Sequence, residues 1–155
     1  MYIAVVGSGD PDEKNEKIAY ELGALIAKKG AILLCGGLGG VMDAAAKGAT
    51  DAGGTSVGIL PGNNRAGSSP HLSFALSTGL GEARNTVIVK SADVVIAVGG
   101  EYGTLSEIAF ALKTNKPVIG INAWQIFKEG HEDKSIARAR DASEAIDLAV
   151  SAVTE

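Results

Sequence analysis

Residues 99–107 read G-G-E-Y-G-T-L-S-E and follow the apolar run Val94-Val95-Ile96-Ala97-Val98. This order is that of a buried strand passing through a glycine turn into a helix. Backbone N–H groups at such a helix start lack partners and suit an anion, above all a phosphate. Gly100, Tyr102, Gly103 and Thr104 form the turn, and Glu107 stands three residues beyond Thr104. Thr104 and Glu107 therefore have the spacing of a capping pair. On spacing alone, a cap and a catalytic carboxylate are equally good readings of Glu107. Two further glycine turns follow apolar runs: Gly7-Ser8-Gly9 after residues 2–6, and Gly36-Gly37-Leu38-Gly39-Gly40 after residues 31–34. Arg84 follows Gly79-x-Gly81 at the start of another helical segment. A lone arginine is usually a solvated charge, but a guanidinium at a glycine turn could hold a phosphate through paired N–H groups. Repeated strand–glycine–helix units in a short chain point to a split nucleotide site.

Other chemistries find less support. His71 and His131 have no second histidine or cysteine at ligand spacing, so no metal site is expected. Cys35 reads as a small packed thiol without a histidine partner. Neither Ser8 nor Ser106 sits in a nucleophile elbow. The turn at 36–40 is not a regular G-x-G-x-x-G, and no clear acid ends the preceding strand to hold a ribose hydroxyl, which disfavours a simple NAD domain. The chain has 155 residues, a net charge of −4 and no basic cluster, so a nucleic-acid partner is not expected. No apolar run approaches the ~20 residues of a membrane span. The chain opens directly on a strand-like segment, so no signal peptide is expected. The single cysteine fits a reducing cytoplasm.

The elements that must position these residues alternate. Strand-like runs at 2–6, 31–34, 55–60, 93–98 and 118–121 are interleaved with helical patterns. The first helix follows Asp12 and Glu13 and stops at Lys28-Lys29-Gly30, with Ile18, Leu22, Leu25 and Ile26 at helical spacing. Others cover 41–52, 82–90, 104–113 and about 143–153. In the helix at 82–90, Val87, Ile88 and the stem of Lys90 form the candidate packed side. Residues 72–78 read as an additional strand, and 118–121 as the last. Such alternation predicts a mainly parallel sheet with helices on both faces. The expected fold class is therefore α/β, a single Rossmann-like, doubly wound domain spanning 1–155. In such sheets ligands bind beyond the carboxyl ends of the strands, so the turns at Gly7, Gly36 and Gly99 should converge on one crevice, with Glu101 turned away from a bound anion.

At these residues the sequence resembles the LOG ("lonely guy") family of Rossmann-fold proteins, and within it the bacterial branch that includes molybdenum-cofactor carrier-like proteins. The likeness runs from Val5-Val6-Gly7-Ser8 to Pro117-Val118-Ile119-Gly120. The family hallmark P-G-G-x-G-T-x-x-E falls on Gly99 to Glu107. An upstream G-G-G-x-x-G-L-M-G falls on Cys35 to Asp43, and M-H-x-R-K falls on Gly81 to Asn85. The resemblance implies a nucleoside 5′-monophosphate phosphoribohydrolase, in which water cleaves the N-glycosidic bond to give a free base and ribose 5-phosphate. Arg84 and Glu107 correspond to its catalytic pair, and Gly7, Ser8, Gly9, Gly36, Gly37, Gly100, Tyr102, Gly103 and Thr104 would bind phosphate or nucleotide. It also implies a homodimer or higher even oligomer, and no required cofactor. The sequence departs from the family at Gly99 (proline), Glu101 (glycine), Asn85 (lysine) and Gly81-Glu82 (Met-His). These departures motivate the alternative of a non-catalytic carrier of molybdenum cofactor or another phosphate-bearing ligand. Relatives also bear the label "lysine decarboxylase", but no lysine here has a recognisable pyridoxal-phosphate context.

Overall fold

A computed structural model describes residues 1–10 and 12–154. Pro11, which the sequence places at the close of the first glycine turn, lies outside the described residues. The first strand, β1 (Tyr2–Gly7), leads to α1 (Glu13–Lys28). The side chain of Asp12 caps α1, accepting from the N–H groups of Lys14 and Asn15. The helix stops at Lys29, and Gly30 takes the left-handed conformation, φ +67°, that releases the chain into the next strand. Then come β2 (Ile32–Cys35), α2 (Val41–Asp51), β3 (Thr55–Leu60) and β4 (Phe74–Ser77). A 3-10 turn at Gly81–Ala83 runs straight into α3 (Arg84–Ser91), followed by β5 (Val94–Val98), α4 (Tyr102–Lys113) and β6 (Val118–Ile121).

Beyond β6 the chain departs from expectation. A short antiparallel hairpin, β7 (Phe127–Lys128) and β8 (His131–Glu132), precedes β9 (Ile136–Arg138), and β9, not β6, closes the sheet. Three residues with a single buried apolar side chain, Ile136, carry too little pattern to announce a strand. The final helix is α5 (Ala142–Thr154).

Seven strands form one sheet in the order β4-β3-β2-β1-β5-β6-β9, and every pairing within it is parallel. The fold is α/β, Rossmann-like and doubly wound. Alternate side chains of the central strands feed two cores. Ile3, Val5, Val94, Ile96 and Val98 pack under α1, α2 and α5, while Ala4, Val6, Val95 and Ala97 pack under α3 and α4. In α3 the buried pair is Ile88 and Val89; Lys90, expected to pack its stem, is exposed.

Two glycines bring α1 and α2 unusually close. A Cβ on Gly23 would lie 2.0 Å from the Ala45 carbonyl oxygen, and one on Gly48 would lie 2.0 Å from that of Tyr20. The two backbones therefore touch reciprocally with no side chain between them.

Candidate functional site

The strand order reverses between β1 and β5. From β1 the chain winds one way through β2 to β4, and from β5 the other way through β6 to β9. At such a switch point the turns leaving the two strands diverge to opposite faces and open a crevice. A cleft of about 270 Å³ occupies this position, lined by Val6, Gly7, Ser8, Gly9, Asp10, Gly36, Met42, Arg84, Asn85, Glu101, Gly103, Thr104 and Glu107. A second cleft of about 510 Å³ adjoins it, lined by Leu38, Pro61, Glu82, Arg84, Asn85, Tyr102, Gly103 and Ser106. Arg84, Asn85 and Gly103 belong to both.

The turn after β5 is built by Gly99 (φ +54°) and Gly100 (φ +102°). A Cβ on Gly100 would come within 2.4 Å of the Thr104 side chain, so the turn needs glycine there. The helix it enters begins at Tyr102, two residues before the expected start, with Glu101 at its N-cap and no side-chain cap bond. Thr104 is consequently not the cap. Thr104 and Glu107, three apart on α4, share a face turned inward and are both buried. This geometry removes the capping-box reading of the pair. Leu105 is the first residue of α4 whose N–H reaches the Glu101 carbonyl, at 3.0 Å. The N–H groups ahead of it are those a helix start leaves over.

The other two turns are locked together. The Ser8 carbonyl accepts the N–H of Val41 at 3.0 Å, and a Cβ on Gly40 (φ +60°) would fall 2.3 Å from that same oxygen. The first N–H of α2 is thereby consumed inside the protein. The Ser8 hydroxyl accepts the N–H of Asp10 at 3.0 Å. Gly37 (φ +77°) is absent from the lining of both clefts; its carbonyl accepts the N–H of Ser69, whose hydroxyl donates to Asp43 at 2.5 Å. Gly100 is likewise a turn former outside the lining, and Tyr102 lines the adjoining cleft alone. Sequence reading passed over Met42 and Asp10 as site residues and marked Asn85 only as a departure from the family motif; all three line the first cleft. The signal for Met42 was its place in the glycine-rich motif.

Arg84 opens α3 and lays its guanidinium over the second turn. Nη2 donates to the Gly36 carbonyl at 3.4 Å and Nη1 donates to Asn85 Oδ1. A Cβ on Gly36 would lie 2.8 Å from Nη2 and 2.5 Å from the Met42 sulfur, so glycine makes room for both side chains. Among the described residues Nε of Arg84 is buried without a partner, an unused donor that an anion in the cleft could satisfy. Arg84 and Glu107 line the same cleft without forming an ion pair within 4 Å. Burial draws the guanidinium below its ordinary range, opposed chiefly by the Glu107 carboxylate; arginine nonetheless stays a cation at neutral pH. Burial pushes the Glu107 carboxyl up to about 7, against the downward pull of Arg84. Cys35, beneath the second turn, is pushed up to about 11 by burial and is a packed, protonated thiol. Glu101 is exposed and is among the residues that line the cleft. Among the described residues no group of three or more His, Cys, Asp or Glu side chains is placed to hold a metal ion, and no helix is long and apolar enough to cross a membrane.

A model of the SLOG cluster 4 family matches residues 1–146. The chain belongs to that family. A protein of Archaeoglobus fulgidus with no stated function is 46% identical over 138 residues, covering 85% of this chain and 91% of the relative. Among solved structures, the molybdenum cofactor binding protein of the phototrophic bacterium Rippkaea orientalis is 40% identical with a TM-score of 0.87, covering 97% of this chain and 95% of that one. The molybdenum cofactor carrier protein of Chlamydomonas reinhardtii is 34% identical with a TM-score of 0.85, covering 99% of each chain. For this SLOG protein, the resemblance to the LOG family and its carrier-like branch therefore holds over nearly the whole chain.

Proposed function

We propose that this protein binds and carries a phosphate-bearing heterocycle of the molybdenum-cofactor class, a pterin with a terminal phosphate. The observation that carries the reading is the near-complete likeness, at 34% identity and above, to two proteins named for binding or carrying that cofactor. The cleft chemistry suits it. The phosphate would lie against the uncapped start of α4, within reach of the unpartnered Nε of Arg84. Gly7, Ser8, Gly9, Gly36, Gly103 and Thr104 would supply the surrounding wall. The test is incubation of the purified protein with molybdenum cofactor released from a molybdoenzyme, followed by gel filtration and metal analysis. Molybdenum co-eluting with the protein at a fixed ratio, with free molybdate failing to do so, supports the reading. No retained molybdenum refutes it.

A second reading, phosphoribohydrolase action on purine-type nucleoside monophosphates, draws on one observation: Glu107 is a buried carboxyl titrating near neutrality beside a cation. As carboxylate it would take a proton from water while the water oxygen bonds to the ribose anomeric carbon. The bond to the base breaks with its electron pair passing to the base nitrogen, and the carboxylate offsets the positive charge that builds on the sugar. Arg84 would hold the 5′-phosphate. Base release from a panel of monophosphates, lost in Glu107→Ala, is the expected result under this reading, and no release from any of them ends it.

For assembly we propose a homodimer or higher even oligomer. Phe74 and Leu76 on the edge strand β4 and Leu80 beyond it are more than half exposed, an apolar surface of the kind that partners cover. Light scattering showing a monomer at micromolar concentration would overturn this.

A further inference from the structure

The second cleft, beyond Arg84, has the composition of a ring subsite. Tyr102 is 77% exposed, and its ring leans on an aromatic neighbour. The Trp124 ring braces it at a centroid distance of 5.6 Å, and Trp124 is itself anchored, its Nε1–H donating to the Glu101 carbonyl at 3.2 Å. A large aromatic side chain held in place and left open to solvent is a stacking platform awaiting a flat partner. Leu38 and Pro61 supply apolar surface in the same cleft. Apart from the shared Arg84, its one charged group is Glu82, in the 3-10 turn that immediately precedes Arg84. Glu82 makes no ion pair within 4 Å among the described residues.

We infer that Glu82 is a specificity-determining residue that selects rings with two adjacent N–H donors, the 2-amino-4-oxo pyrimidine edge shared by pterin and guanine, over adenine. The inference deepens the ligand-binding reading and rests on it. An ionised carboxylate only accepts, and its two oxygens match two neighbouring N–H groups. Guanine presents N1–H beside its 2-amino group, and pterin presents N3–H beside the same amino group. Adenine offers a ring acceptor beside its amino group, and a carboxylate meets that acceptor with repulsion. The juxtaposition assigns the two charges different tasks: Arg84, shared by both clefts, takes the phosphate, while Glu82, two residues back, reads the ring.

The experiment is calorimetric titration of the full chain with GMP, IMP, AMP, 6-hydroxymethylpterin phosphate and ribose 5-phosphate, for wild type, Glu82→Gln and Tyr102→Ala. Wild type is expected to bind GMP and the pterin phosphate about tenfold more tightly than AMP, with IMP, which lacks the amino donor, between them. In Glu82→Gln the GMP-to-AMP ratio should fall to near one, because an amide can face either edge, while ribose 5-phosphate binding is not weakened and tightens up to about fivefold at low salt as a negative charge near Arg84 is lost. Tyr102→Ala should weaken every ring ligand about tenfold and leave ribose 5-phosphate unaffected. Melting curves of the two exposed-site variants check that the fold is intact. Equal binding of GMP and AMP by wild type, or an unaltered ratio in Glu82→Gln, overturns the inference while the ligand-binding reading stands. Failure of every ligand, ribose 5-phosphate included, overturns both. Preference for the pterin phosphate over GMP, or the reverse, identifies which source of the shared edge the site takes, and both support the carboxylate's role.

Discussion

Replacing Glu107 by glutamine should make the protein more stable at pH 8 than wild type, and the size of the gain follows from the structure. The carboxyl ordinarily titrates at 4.5, and burial in the cleft raises this to about 7 in the folded protein. Below the lower value both folded and unfolded chains carry the proton, so the group has no effect on stability. Between the two values the folded state binds the extra proton, and stability falls as pH rises, by about 1.4 kcal/mol for each pH unit. Above the higher value the full penalty is about 3 kcal/mol. Glutamine fills nearly the same space and never ionises. The difference between the two proteins should therefore be smallest near pH 4.5, open through pH 7 and then level off. For a chain of this length that corresponds to a melting temperature roughly 6–12 °C higher for Glu107→Gln at pH 8. Scanning calorimetry of both proteins across pH 4.5–8 measures it. Arg84→Met, which removes the charge that pulls the carboxyl down, should carry the upper end of the wild-type decline above 7. Parallel pH profiles for wild type and Glu107→Gln would refute the argument, because they would mean that Glu107 is charged in the folded protein at no cost.

Three other outcomes are expected. Gly36→Ala would place a methyl group 2.8 Å from Arg84 Nη2 and 2.5 Å from the Met42 sulfur, both on flexible side chains. It should cost only about 1 kcal/mol in a urea titration but weaken inorganic phosphate binding about tenfold or more. Gly23→Ala and Gly48→Ala meet rigid backbone at 2.0 Å, so each should destabilise by about 3 kcal/mol or more, measured by the same titration. Glu101→Gln removes an exposed negative charge from the cleft lining and should tighten phosphate binding up to about fivefold at low salt, with the gain fading as salt is raised.

The layered architecture was legible because parallel strands covered on both faces must be apolar throughout. Val94 to Val98 is such a run, and glycines stand at the ends of β1, β2 and β5. What escaped was short or depended on distant packing. The β7–β8 hairpin turns through Glu129 (φ +52°) and Gly130 (φ +81°), and a glutamate in the left-handed region is not a residue that advertises such a turn. The pair Thr104 and Glu107 had a local explanation, capping. That explanation failed because the Gly99-Gly100 turn starts the helix at Tyr102 and leaves both side chains on its inward face. Arg84 carried no sign in sequence that its guanidinium would rest on Gly36, a residue 48 positions away. The ring subsite was unreadable for the same reason: Leu38, Pro61, Glu82 and Tyr102 come from four separate stretches of the chain and meet only in three dimensions.

The reciprocal contact of Gly23 and Gly48 acts as a gauge. It sets how far apart α1 and α2 stand, and the bond from Val41 to Ser8 carries that spacing to the turns from which the two helices depart. One rim of the cleft is thus a fixed jaw, calibrated by two absent methyl groups on the protein's interior side. The facing wall, α3, is held by Ile88 and Val89 buried against the sheet, and Arg84 Nη2 reaches across to the Gly36 carbonyl at 3.4 Å. With both walls fixed by packing outside the cleft, its width is set before any ligand arrives.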